Sequence, residues 1–317
     1  MADLTPQQAN VIARNMIVGG AVKRTQQIFS QVIDVTSSNV LNIAPRNVGL
    51  ILGFIVQVST TVAVAAGTGT PLTKTPFGPY NLIKNVSYFD LQNNTRINTT
   101  GWHLGLLNSA RSGAPYLAAR GNVGLPVDFG NFYPSLGKGD ATIAAGASSD
   151  LKQTFYVPLA YSDEDLRGAV YANVVNATQN LQLTLNNALV QARTLASGTD
   201  AAYVTATAGT PPVDAAPGNF TVKVYQVYYD QLPQGQNGII LPALDISTIY
   251  ELKQTAIPGV TAGQDFPLPY SNFRDFLSTI AIYRNRAAVS PSTGFALESD
   301  INAIVENTGK IAKDWRT

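Results

Sequence analysis

Side chains that commonly carry out catalysis are scarce in this sequence. Its 317 residues include no cysteine and a single histidine, His103. Without cysteine there is no thiolate nucleophile and no thiolate zinc site, and one histidine cannot form a cluster of imidazole ligands. His103 follows Trp102 without the Gly-x-Ser-x-Gly elbow of a serine nucleophile, so we predict that it is a structural or surface residue. We therefore predict no catalytic residue, no metal site and no bound cofactor.

An acidic run, Ser162-Asp-Glu-Asp165, is the strongest alternative for a metal site. Carboxylates attract divalent cations, but the sequence shows no second cluster of ligands to complete the coordination. A serine followed by acids is typical of a helix N-terminus, where the hydroxyl caps backbone N–H groups and the acids face the positive end of the helix dipole. The run predicts a short helix that begins at about Leu166.

Three basic residues, Arg14, Lys23 and Arg24, lie in the first thirty residues, where the only acid is Asp3. Thr5 followed by Pro-Gln-Gln8 predicts a helix start with a hydroxyl cap. We expect a break at Gly19-Gly20 and a second helical stretch over residues 21–33. Two interpretations of this helical arm stay open. It packs on its own domain, or it contacts an anionic surface or a neighbouring subunit through its three cations.

The composition excludes several classes of protein. Charged residues make up 13% of the chain, with 21 basic and 20 acidic side chains, and apolar residues make up 45%. A disordered chain would combine low hydrophobicity with high net charge, and a nucleic-acid-binding protein would be basic. Few charges and a net charge near zero favour association. The first residues lack the basic and apolar regions of a secretory signal, so we expect the chain to fold in a cytoplasm.

Alternating patterns predict β-structure for most of the chain. Between Arg46 and Lys74 lie 27 uncharged residues, long enough for a membrane-spanning helix, but the apolar side chains from Phe54 to Val64 recur with a period of two. A half-buried strand explains that period better. Further strands are predicted at 86–90, 154–161, 181–185, 221–229 and 279–283, with turns between them, as in a sandwich or jelly roll. Residues 195–218 predict a low-complexity surface loop.

Six short blocks, taken in order, carry a resemblance to a known family. They are Phe77-Gly-Pro-Tyr-Asn-Leu82, Gly101-Trp-His-Leu104, Ser112-Gly-Ala-Pro-Tyr116, Val157-Pro-Leu-Ala-Tyr-Ser162 with Asp165-Leu-Arg-Gly-Ala-Val170, Asp230-Gln-Leu-Pro-Gln-Gly-Gln-Asn-Gly238, and Leu277-Ser-Thr-Ile-Ala281. The ordered set resembles the major capsid protein of tectivirus-like bacteriophages, which are tailless and icosahedral and have an internal membrane.

The resemblance implies an all-β double jelly roll, with two eight-stranded antiparallel barrels side by side and an N-terminal helical arm. The implied divisions are an arm at 1–33, a first jelly roll at 34–232 and a second at 233–317. We expect the second to be shortened, because 85 residues hardly hold eight strands and their turns. The loop at 195–218 would form a tower or a subunit contact.

The same resemblance implies a structural virion protein that forms homotrimers. These pseudo-hexagonal trimers tile a shell around the internal membrane. The implied partners are further trimers, that membrane, and vertex and other minor capsid proteins, with no specific nucleic acid. The arm would face the membrane and place Arg14, Lys23 and Arg24 near lipid headgroups or neighbouring trimers. The alternative is a β-sandwich spike or carbohydrate-binding virion protein that uses loops such as Asn131-Phe-Tyr133.

Overall fold

The structure is a computed structural model that describes residues 5–36, 39–75, 78–112, 139–174, 178–193, 201–208, 210–236, 238–253, 278–282 and 304–308. Its helices are α1 (Pro6–Gly20), α2 (Gly101–Ser112), α3 (Ala243–Ser247) and the 3₁₀ helix η1 (Gly78–Leu82). The strands up to residue 158 are β1 (Val22–Ile33), β2 (Val40–Ile43), β3 (Leu50–Val64), β4 (Leu72–Lys74), β5 (Ile83–Phe89), β6 (Thr95–Thr99), β7 (Thr142–Ile143) and β8 (Ser148–Pro158). The later strands are β9 (Val170–Tyr171), β10 (Asn180–Leu185), β11 (Val190–Arg193), β12 (Tyr203–Ala208), β13 (Ala215–Pro217), β14 (Phe220–Asp230), β15 (Gln234–Gly235), β16 (Gly238–Ile239), β17 (Leu252–Lys253), β18 (Ser278–Ile282) and β19 (Ile304–Thr308).

Eight of these strands form two antiparallel four-stranded layers. Sheet A has the order β1-β14-β3-β8, and sheet B has the order β2-β10-β5-β6. Counted along the chain, sheet A holds the first, eighth, third and sixth strands, and sheet B holds the second, seventh, fourth and fifth. This is the strand order of a jelly roll. The predicted jelly roll is therefore confirmed for residues 22–230.

The core of this jelly roll is built by alternation along its strands. Phe54, Val56 and Val58 of β3 are fully buried and belong to the same apolar cluster as Val86 and Tyr88 of β5. The ring centroids of Phe54 and Tyr88 lie 5.6 Å apart across the two sheets. Each such side chain stabilises the fold by about 1.5–3 kcal/mol when it leaves water. The strand prediction for the uncharged run is confirmed, and no helix in the described ranges is long and apolar enough to span a bilayer.

The second half of the predicted helical arm is wrong. Residues 22–33 form β1, which pairs with β14 over eleven registered positions, and only α1 is helical. The β-branched residues of this segment and the long partner strand outweigh the helical preference of its Gln and Lys residues. Because β1 is an edge strand with little burial, it lacks the alternation that identified β3. The jelly roll therefore begins before residue 34.

Two further local predictions are corrected. No helix follows Ser162: its hydroxyl accepts the N–H of Asp165 at 2.9 Å, but the chain turns at Gly168, whose φ is +85°. The described part of the 195–218 segment is not only a surface loop, because β12 and β13 lie within it. Tyr203 in β12 is fully buried, and its hydroxyl donates to the carbonyl of Asp140 at 2.9 Å. Ala201 and Ala202 beside it are also fully buried.

Several expectations fall on residues outside the described ranges. They are the loop at Asn131–Tyr133, most of the Ser112–Tyr116 block, residues 195–200 and most of 254–317. Within that last range the structure describes β18 and β19, which pair antiparallel. The expectation that the second jelly roll is shortened stays a prediction.

Candidate functional site: the clasp between the N-terminal helix and the linker

Helix α1 lies on the outer side of sheet A. It starts with a capping box in which the Thr5 hydroxyl accepts the N–H of Gln8 and the Gln8 side chain accepts the N–H of Thr5. Its buried positions, Asn10, Ala13 and Ile17, follow a helical spacing and define one face. Ile17 is fully buried in an apolar cluster with residues of β3 and β14.

The polar residues on that face form hydrogen bonds to a buried carboxylate. Asp245, in α3, is 3% exposed, and its oxygens accept hydrogen bonds from Arg14 Nε and Nη2, both at 2.6 Å. The same carboxylate accepts a bond from Asn10 Nδ2 at 2.9 Å. The hydrogen bond to Asp245 raises the pKa of the Arg14 guanidinium. We call Asn10, Arg14 and Asp245 the clasp.

The clasp also caps α3. Pro242 precedes this five-residue helix and offers no side-chain cap. The Asn10 Oδ1 atom accepts the N–H of Leu244 at 2.9 Å and that of Asp245 at 3.2 Å. A side chain from α1 therefore satisfies backbone donors at the start of a helix 234 positions further along the chain.

A tight turn joins the clasp to sheet B. The N–H of Gly168 donates to the Asp245 carbonyl at 3.2 Å, and the Gly168 carbonyl accepts Arg96 Nη1 at 3.1 Å. Arg96 in turn pairs with the buried Asp90 at 2.7 Å. Gly168 has a positive φ, and a Cβ there would lie 2.4 Å from the Cβ of Tyr250, so this turn requires glycine.

The segment 242–253, which we call the linker, is thus held at three places. The clasp holds α3, Gly168 contacts Tyr250, and β17 pairs in parallel with β6 through Leu252 and Ile97. Beside it the Arg167 guanidinium lies 5.5 Å from the ring centroid of Tyr161, a cation–π contact. Burial raises the pKa of Asp165, but hydrogen bonds from Arg167 outweigh that effect and hold the pKa below its usual value.

The three predicted contact cations do not form one cluster. Arg14 belongs to the clasp, Lys23 pairs with Asp163, and Arg24 pairs with Asp230 at 2.8 Å on the sandwich edge. The sequence reasoning missed Asn10 and Asp245. Asn10 stands four residues before Arg14 on the same helix face, which was the available signal, but nothing near Asp245 pointed to α1.

Helix α2 closes another part of the sandwich and contains the single histidine. Leu104 and Leu107 are buried in the main core, and Gly105 lies against the ring of Tyr80 in η1, where a Cβ would come within 2.3 Å. His103 Nδ1 contacts the Thr100 hydroxyl at the helix start. Desolvation lowers the pKa of His103 to about 4, so the ring is neutral at physiological pH. The contacts of His103 fit the predicted structural role.

Comparison with known proteins identifies the family. Sequence models of the N-terminal and C-terminal parts of the P3 major capsid protein match residues 3–232 and 247–316. The chain is 37% identical over 309 residues to the major capsid protein P3 of Enterobacteria phage PRD1. The alignment covers 97% of this chain and 76% of that protein. The chain belongs to the P3 major capsid protein family. The predicted tectivirus-type resemblance is confirmed, and a structural capsid role in a virion, not an enzymatic role, goes with it.

Solved capsid proteins of other viruses also show similarity to this P3 family member. For the major capsid protein of Sulfolobus Turreted Icosahedral Virus the TM-score is 0.39 and the identity 16%, over 66% of this chain and 49% of that one. For the PBCV-1 capsid the TM-score is 0.33 and the identity 12%, over 66% of this chain and 43% of that one. The chain thus matches about half the length or less of these proteins.

The blocks that carried the resemblance have identifiable physical roles in this P3 family chain. The 77–82 and 101–104 blocks meet where α2 docks on η1, and the 157–162 and 165–170 blocks form the turn that contacts the linker. In the 230–238 block, Asp230 pairs with Arg24 and β15 pairs with β16. Across the described residues, no group of three acidic or histidine side chains is placed to hold a metal ion.

Proposed function

We propose that this P3 family protein assembles as a pseudo-hexagonal homotrimer and that these trimers tile an icosahedral shell around an internal membrane. The observation that carries the proposal is the family match along almost the whole chain. The complete jelly roll at residues 22–230 and the low charge support it, because a surface with few charges costs less to bury between subunits.

The outer side of sheet B supports self-association in particular. On this side the strands present uncharged polar groups, opposite to the apolar residues that face the core. We call this surface the amide face, and its exposed or half-buried members are Asn42, Asn85, Asn98, Asn180 and Gln182. Asn42 Oδ1 accepts hydrogen bonds from Asn180 at 3.2 Å and from Gln182 at 3.1 Å, so these side chains are already ordered. We propose that a second copy covers this face.

The proposed arm contacts rest on α1 and the start of β1. Val11, Ile12 and Met16 are exposed on the outer side of α1, and an apolar helix face of this kind fits a lipid surface. Arg14, Lys23 and Arg24 are the proposed cations for headgroups or neighbouring trimers. Each of these cations forms an ion pair with a carboxylate of this chain, so an anionic partner would have to compete with that carboxylate.

The remaining parts of the proposal follow the family. We propose an arm at residues 6–20, a first jelly roll from β1 to about residue 232, and a second unit that follows segment 242–253 and lies within residues 247–316, which the C-terminal family model matches. Vertex and other minor capsid proteins would be further partners, without specific nucleic acid. The protein would be made and folded in the host cytoplasm and then enter the virion.

Light scattering coupled to size-exclusion chromatography tests the trimer. We expect a mass three times the 33.7 kDa of the chain, and we expect this trimer to persist on dilution. Gln182→Lys should abolish the trimer with unchanged circular dichroism, because a charge on the amide face must be desolvated. Thr221→Lys, beside the exposed Lys223 on sheet A, is the matched control. A trimer that survives Gln182→Lys would remove the amide face from the contact.

The alternative function is a spike or carbohydrate-binding virion protein. Polar amide side chains on an open sheet also suit hydrogen bonding to sugars, which is the observation in its favour. A wild-type monomer that stays monomeric at high concentration and binds oligosaccharides on a glycan array would overturn the trimer proposal in favour of this one.

A further inference from the structure

We infer that α1 is a latch for the linker: the clasp keeps α3 folded and so fixes the path by which the chain leaves the first jelly roll. The juxtaposition behind this inference joins two segments more than 230 residues apart in sequence. It does not depend on the membrane or on the trimer.

Helix α3 is too short to be stable on its own. It has five residues and no side-chain cap of its own, and isolated helices of this length are not stable in water. The Asn10 Oδ1 atom accepts two of its N-terminal N–H groups. The other contacts of α3 are local bonds from Thr248 to Leu244 and Asp245, the bond from the Gly168 N–H to the Asp245 carbonyl, and the packing of Ile246 on the apolar cluster around Ile17. The helix therefore depends on an element outside itself.

Asp245 depends on α1 as well. Its carboxylate is almost fully buried; Arg14 forms its salt bridge, and the Arg167 guanidinium attracts it from a longer distance. A buried carboxylate without its cation is strongly unfavourable. If the Arg14 cation is lost while α1 stays in place, the buried carboxylate has no salt bridge, and this favours a movement or unfolding of α3 that brings Asp245 to water.

The linker continues directly from this point towards the second unit. Tyr250 packs on Gly168 and Leu252 pairs beside Ile97, so the chain leaves the first jelly roll along the edge of sheet B. Loosening α3 would remove the first of the three places that hold the linker. The docking of α1 is thereby coupled to the position of the linker. Such coupling is reciprocal, so a change in the linker must also change how firmly α1 is docked.

Hydrogen exchange of the full-length protein tests the latch. Arg14→Met removes the cation and keeps most of the apolar stem, and Asn10→Ala removes the cap. Either should raise the exchange rate of the amides at 244–249 by about tenfold, the size of effect expected for loss of a helix cap. Arg24→Met is the matched control, because it breaks an exposed pair with Asp230 close to α1. It should leave these amides unchanged.

Three further measurements complete the test. The exchange rates of the β14 amides in the same samples report the global stability of the fold, and they should not change. Asp245→Asn should raise exchange in α1 at residues 9–18, as reciprocity requires. Arg14→Lys should give an intermediate effect, since an ammonium group cannot make the bidentate contact.

The latch is refuted by any of three results. One is unchanged exchange at 244–249 in Arg14→Met, which would show that α3 holds without α1. Another is a rise in β14 that equals the rise in the linker, which would make the clasp a part of the global core. The third is a rise in exchange at 244–249 in Arg24→Met that equals the rise in Arg14→Met.

Discussion

Helices α1 and α2 are docked on the same jelly roll by different physical means. α2 inserts Leu104 and Leu107 into the main core and fits Gly105 against Tyr80. α1 buries one large apolar side chain, Ile17, and is otherwise held by the clasp, while Val11, Ile12 and Met16 point outward. The first arrangement is mainly hydrophobic and the second mainly hydrogen-bonded.

The difference indicates what each helix does. Burial of apolar area is strong but not directional, so α2 contributes mainly to the stability of the fold. A bidentate Arg–carboxylate contact is directional and only modestly stabilising after desolvation, so the clasp specifies where α1 and the linker lie. α2 therefore belongs to the fold, and α1 sets the placement of another part of the chain.

The largest expected effect is on α2. Leu104→Ala should lower the free energy of unfolding by about 3 kcal/mol, through lost burial and the cavity that remains. Urea unfolding followed by circular dichroism measures it. Leu244→Ala, at an exposed position of α3, is the control and should change stability by less than about 0.5 kcal/mol. Equal effects of the two substitutions would contradict the assignment of α2 to the core.

The next effect is the acid sensitivity of α2. His103 has a pKa of about 4 in the folded protein, below its unfolded value near 6.5, so between these values the unfolded chain binds more protons. Stability should therefore be fully present above about pH 6.5 and fall by roughly 2–3 kcal/mol as the pH drops to about 4.

A comparison with His103→Asn isolates that contribution. Because the chain has one histidine, the difference between the pH profiles of the two proteins reports this ring alone. We expect the difference to be constant above pH 7 and to change between pH 6.5 and 4, measured by urea unfolding at each pH. Profiles that run parallel throughout would show that the ring is not desolvated.

A smaller effect is expected at the apolar contact of α1. Ile17→Ala should lower the free energy of unfolding by about 1–2 kcal/mol, less than a core leucine, because α1 can detach while the sandwich stays folded. Met16→Ala, at the exposed neighbouring position, is the control. A loss as large as that of Leu104→Ala would mean that α1 belongs to the same cooperative unit as α2.

The sequence allowed α1 and β3 to be predicted because their signals are local. Thr5 and Pro6 mark the start of α1 and Gly19-Gly20 its end, and the alternation from Phe54 to Val64 marks β3. β1 lacks such a signal, since an edge strand exposes both of its faces, and its pairing with β14 decided its conformation. A propensity argument cannot include a partner that lies 200 residues away.

The clasp illustrates the same limit at the site. Arg14 was singled out by charge, and a role at an anionic surface followed from the acid-poor neighbourhood of the first thirty residues. Its partner, Asp245, is 231 positions away and is brought to α1 by the complete jelly roll. The family blocks, in contrast, lay at helix and linker contacts, because such contacts require particular residues such as Gly105 and Gly168.

The smallest effect on stability is expected on the outer face of α1. Ile12→Ser combined with Met16→Ser should change the free energy of unfolding by less than about 0.5 kcal/mol, since both side chains are exposed at the surface. The same double variant should weaken flotation with anionic lipid vesicles by about tenfold or more, because two apolar side chains no longer enter the bilayer interface. Asn15→Ser on the same helix is the control. If the double variant lowers the stability of the assembled protein instead and leaves flotation unchanged, a neighbouring copy covers this face, and both helices are then docked by apolar contacts.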